Sequence, residues 1–106
     1  MNAAALYLMP HPDLATCTPC AVLRAAAARW PVGTPVQRSS SGRLGQIGVC
    51  KAPLPTTSPH QLRVSDDPPV AQVIANQHGM PTVFVKWFEG TGANWVHPDS
   101  LTEASL

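Results

Sequence analysis

Prolines stand at twelve positions, and their placement dictates where regular structure can run in this chain. Each one locks φ and removes a backbone donor, so it is tolerated in a first helical turn, a turn or a sheet edge, and not inside a helix or a central strand. Pro10 and Pro12 stop the apolar opening MNAAALYLM, in which residues 3–9 fit a short buried strand, a helix or an arm equally well. That run has no basic flank and falls far short of the roughly 20 residues of a membrane span, so no membrane association is expected, and with no secretory signal in sight the expected location is the cytoplasm. Pro53, Pro55 and Pro59 make residues 52–60 an irregular loop. Between these interruptions four stretches remain long enough to organise a core.

The first is helical. Thr18 can cap, Pro19 sits at the first helical position, and Val22, Leu23, Ala26 and Trp30 recur at helical spacing until Pro31 and Gly33 end the run. In TPVQRSSSGRLGQIGVC the period changes: two β-rich pieces, one holding Val36 and the other Leu44, Ile47 and Val49, flank SSSG and predict a pair of antiparallel strands. The third stretch begins with QLRV as a short strand. DDPPVAQVIANQHG then predicts a short helix, with Asp66 or Asp67 as cap, Val70, Val73 and Ile74 on one face and Gly79 as terminator. The fourth is a hairpin, from a β-branched and aromatic run at 82–88 through EGTG to a second run at 94–96. A chain of 106 residues accommodates one such core and not two.

The stretches WPVGTPVQRSSSGRLGQIGV and VFVKWFEGTGANWVHPDSL resemble small SH3-like or Tudor-like β-barrels, through Gly33, Ser41, Gly42, Arg43, Gly45, Val83, Val85, Trp87, Gly90, Trp95, Val96, Pro98 and Leu101. The resemblance covers about residues 31–102. It implies a mainly β (α+β) domain, with an N-terminal arm and helix over 1–30, a barrel over 31–106 and the short helix lodged in a long inter-strand loop. Gly45 would permit strong twist, and Val83 and Val85 would point inward while Trp87 closes one end. Such barrels are chiefly binding modules, so the implied role is non-catalytic, with a protein partner or a nucleic acid. A rival resemblance, to thioredoxin- and glutaredoxin-like proteins, rests on ALYLM, CTPC and HGMPTVFV. It implies a thiol–disulfide oxidoreductase in which Cys17 attacks, Cys20 resolves and Pro81 is the cis-proline.

Three cysteines without a secretory signal argue against a disulfide framework. Cys17 and Cys20 are spaced for a redox dithiol at a helix N-terminus, for half a zinc site, or for nothing beyond packing, which is the simplest reading. No cofactor is otherwise expected. A zinc ion would need further ligands, for which Cys50, His11, His60 and His78 are the candidates. Trp30, Trp87, Trp95, Phe84 and Phe88 offer either an aromatic cage or core packing. Alternation sets Phe84 and Phe88 opposite Val83, Val85 and Trp87.

Seven basic residues against six acidic ones, scattered along the chain, do not by themselves announce a nucleic-acid partner. A barrel could still gather Arg38, Arg43, Lys51 and Lys86 on one face or leave them as a solvated charged rim; Arg38, Arg43, Lys86, Trp87 and Trp95 form the expected binding surface. His97, Asp99 and Ser100 read as a polar turn with Asp99 as cap, not as an acid–base pair.

Overall fold

A computed structural model of the chain describes residues 6–12, 14–51, 53–55, 58–90 and 92–104. Among these, nine strands and one helix follow in the order β1 (Tyr7–Leu8), α1 (Thr18–Arg29), β2 (Pro35–Arg38), β3 (Leu44–Ile47), β4 (Cys50–Lys51), β5 (Gln61–Asp66), β6 (Pro69–Ala75), β7 (Pro81–Trp87), β8 (Ala93–Val96) and β9 (Leu101–Glu103), with 3-10 turns at Leu14–Thr16 and Pro98–Ser100. Every pairing is antiparallel. The strand path runs β1-β5-β6-β7-β3-β2-β9, with β4 added to β6 and β8 to β7.

This sheet is open, which corrects the barrel expected from the resemblance. Closure requires the two end strands to bond to each other. Here they are β1 and β9, of two and three residues, and each pairs only inward. The inner face is instead closed by α1, which packs across β5, β6 and β7. Cys20, Leu23, Ala26 and Trp30 meet Val36, Ile47, Leu62, Val73, Val83, Val85, Trp87 and Leu101 in one buried cluster.

The second correction concerns residues 66–79. No helix forms there: β5 and β6 make a hairpin through Asp67 and Pro68, whose connecting peptide is cis. The physical reason lies in β6, where residues 70–75 are all buried. A strand covered on both sides reads as a continuous apolar run, and within such a run Val70, Val73 and Ile74 satisfy helical spacing as well as they satisfy a strand.

The hairpins expected around SSSG and EGTG are present, with Gly42 and Gly90 at positive φ in their turns. Gly45 has a different duty from the twist assigned to it. A Cβ there would lie 2.6 Å from the Lys86 carbonyl oxygen and 2.9 Å from the Trp87 ring, so β3 and β7 approach closely only because the side chain is missing. The N-cap of α1 is Cys17 and not Thr18. At its other end the helix is tied by buried polar contacts: Gln72 Nε2 donates to the Trp30 carbonyl at 2.7 Å, and Trp30 Nε1 donates to the Pro98 carbonyl at 3.2 Å.

A candidate metal centre

Three separate segments converge at the N-terminus of α1. The first is a strap that leaves the sheet after β1, anchored by the Met9 amide donating to the Gln61 carbonyl, and it carries His11. The second is the start of α1: Cys17 at the N-cap, half-buried, and Cys20 in the first turn, 1% exposed. The third is the end of the proline-rich loop, where His60 enters β5. Its amide donates to Ser58 Oγ, its carbonyl accepts from the Ala75 amide, and the buried Gln61 side chain donates to the Ser58 carbonyl. These bonds hold the end of the loop where its histidine meets the start of the helix.

The ligand atoms of His11, Cys17, Cys20 and His60 all lie within 4.8 Å of one another. His11 Nε2 is 3.2 Å from Cys20 Sγ, and His60 Nδ1 is 3.5 Å from Cys17 Sγ and 3.6 Å from Cys20 Sγ. Tetrahedral zinc with Zn–S near 2.3 Å and Zn–N near 2.0–2.1 Å has a nitrogen-to-sulfur edge of about 3.6 Å. The three nitrogen-to-sulfur distances lie close to that edge, and the four side chains could hold a metal ion.

The tautomer of His11 also follows from its contacts. His11 Nδ1 sits 2.6 Å from the Pro12 carbonyl, which only accepts, so Nδ1 carries the proton and Nε2 presents its lone pair to the cluster. A second ring nitrogen fixed on a backbone carbonyl is the usual support for a metal-ligating histidine. His60 turns Nδ1 to the sulfurs, and its ring meets that of His11 edge-on with centroids 5.3 Å apart. Burial, reinforced by the adjoining Cys17 and opposed by Arg24, pushes the Cys20 thiol up to about 11. A bound divalent cation reverses that preference, because its charge stabilises the thiolate.

Cys50 and His78, the other candidate ligands, lie elsewhere. Cys50 is on β4, where its thiol donates to the Lys51 carbonyl, and His78 is exposed in the β6–β7 turn beside Gln77. The oxidoreductase arrangement is not reproduced either. Among the described residues, the side chain that meets both sulfurs is His60 and not Pro81, the cis peptide precedes Pro68, and no parallel strand pair follows the helix.

The aromatic residues divide between the two sides of the sheet and form no single cage. Trp30 and Trp87 are in the core, Phe84 and Trp95 stack edge-on with centroids 5.1 Å apart, and Phe88 is exposed. Arg43 lies 4.9 Å over the Trp87 ring and donates to the Glu89 carbonyl, Lys86 lays its stem across Gly48, Lys51 is on β4, and Arg38 is half-buried in β2. In the polar turn His97, not Asp99, is the cap: its Nδ1 accepts from the Asp99 amide, while Asp99 pairs with Arg29 at 2.6 Å.

Comparison with known proteins finds no matching family model, no matching curated protein and no matching solved structure. No helix is long and apolar enough to cross a membrane among the described residues.

Cys17 and Cys20 are legible in the sequence as a pair, whereas His11 and His60 stand there only among four candidate partners, with Cys50 and His78. What distinguishes His60 is its position immediately before a strand adjoining α1, which becomes visible only once β5 is placed.

Proposed function

We propose that His11, Cys17, Cys20 and His60 bind one Zn²⁺ as a closed structural site, and that this protein is a zinc-stapled, non-catalytic domain acting through the surface it presents. The observation that carries the reading is the convergence of four donors from three segments within 4.8 Å of one another, three of the nitrogen-to-sulfur distances being 3.2–3.6 Å. Two sulfurs and two imidazole nitrogens are the donor set that suits zinc, and four protein ligands leave no open position for a water to be activated, as hydrolytic zinc would need. The metal then fastens the strap and the proline-rich loop to the helix, a useful reinforcement for an open sheet whose end strand β1 has only two residues.

The test is metal analysis of protein purified without chelator, followed by X-ray absorption spectroscopy at the zinc edge. The expected result is one zinc per chain, with two sulfurs at about 2.3 Å and two nitrogens at about 2.0–2.1 Å. An oxygen ligand in the shell would overturn the closed, non-catalytic reading. A chain that neither carries zinc nor takes it up would overturn the site itself.

A further inference from the structure

We infer that Cys17 and Cys20 form a peroxide-reactive modification site, whose oxidation to a disulfide ejects the metal and unfastens the N-terminal strap. This rests on the zinc reading above. Three observations carry it. The two sulfurs lie within 4.8 Å of each other, at positions three residues apart at a helix start, so rotation about the Cα–Cβ bonds brings them together without moving another element. They differ in access, Cys17 being half-buried and Cys20 1% exposed, which makes Cys17 the sulfur an oxidant meets first. The third is what each linkage holds. The metal joins residue 11 to residue 60, whereas a Cys17–Cys20 disulfide closes one turn of one helix and fastens nothing across the fold.

The chemistry balances with hydrogen peroxide as the oxidant. The Cys17 thiolate attacks a peroxide oxygen, the O–O bond breaks, and the sulfur becomes a sulfenic acid while hydroxide leaves. The Cys20 thiolate then attacks Cys17 Sγ, the S–S bond forms, and a second hydroxide departs. Two protons from solvent convert the hydroxides to water. Two sulfurs have lost two electrons, peroxide has gained them, and zinc, deprived of both thiolates, is left with two imidazoles. Without the metal, the strap keeps the short β1–β5 ladder, the Met9 amide bond to Gln61, and the packing of Leu6, Leu8 and Leu14 on the core. An edge held so lightly opens locally.

The experiment treats the zinc-loaded full chain with hydrogen peroxide. Released zinc is read with a chromogenic chelator, the thiols are mapped by mass spectrometry of peptides, and amide hydrogen exchange is followed by NMR. The expected result is one zinc released for each Cys17–Cys20 disulfide, a thiol retained at Cys50, and exchange at the Met9 amide faster on the order of tenfold, with the Val83 and Val85 amides unchanged. A dithiol reductant with added zinc should restore the starting state. Zinc retained with both thiols intact, oxidation that stops at the sulfenic acid, a disulfide that recruits Cys50, or an unaltered Met9 amide would each overturn the inference. A chain that does not load zinc before peroxide is added overturns instead the reading beneath it.

Discussion

If the cluster holds zinc as proposed, removing the metal should lower the melting temperature by an amount that the position of the staple sets. The ligands span from His11 to His60, a loop of about 50 residues, and constraining such a loop in the unfolded chain is worth about 4 kcal/mol when treated as a cross-link. For a chain of this size each kcal/mol moves the midpoint by about 4 °C, so the expected fall is about 15 °C. The assay is thermal unfolding followed by circular dichroism, on zinc-loaded protein and on the same protein after a chelator has removed its metal. His60→Ala should melt near the chelated wild type and ignore the chelator, because it has already lost the ligand that ties the loop. His78→Ala, which removes an exposed histidine outside the cluster, should behave as wild type in both conditions. A shift below about 3 °C in a sample shown to have lost its zinc would refute the reasoning, since the staple would then close no loop that matters to the fold.

Three further outcomes are expected. Gly45→Ala places a methyl group 2.6 Å from the Lys86 carbonyl oxygen and should cost about 1–3 kcal/mol in urea unfolding, because backbone and not a flexible tip must give way; an unchanged midpoint would show that β3 and β7 are not so close. Trp30→Phe leaves the Pro98 carbonyl without its indole partner and should cost at least about 1 kcal/mol by the same measurement. The Arg29 guanidinium beside Asp99 holds that carboxyl below the usual value near 3.9. With the folded value depressed, the pair's contribution is present above about pH 4 and fades as pH falls through the lowered value. NMR titration should find Asp99 below the ordinary range and see it rise in Arg29→Ala; an Asp99 that titrates alike in both proteins would contradict the ion pair.

Where local chemistry decided the structure, it was readable in the residues. Pro19 at the entry and Pro31 beyond the exit bracket the observed helix to within a residue of Thr18–Trp30. The alternation of Val83, Val85 and Trp87 against Phe84 and Phe88 assigned the two faces of β7 as they are found. Errors arose where burial was symmetric or pairing was distant. β6 is covered on both sides, so its apolar spacing held no information about its period. β4 and β9 have two and three residues, and each exists only because a partner far along the chain offers free hydrogen-bonding groups. The candidate metal centre divides in the same way. Cys17 and Cys20 are neighbours on a helix start, so their proximity is a local property, whereas the β1–β5 pairing sets the course of the strap and β5 brings His60 back from 43 residues along the chain to Cys17.

By itself, then, the sequence determined one helix, the two glycine-turn hairpins and a pair of thiols at a helix N-terminus, because propensity, turn chemistry and capping act over a few residues. Whether the sheet closed, what the segment at 66–79 became, and which histidines met the thiols were decided by the tertiary structure. Those outcomes depend on which strands find one another and on where α1 lies across them, interactions between residues whose separation in the chain leaves no local trace.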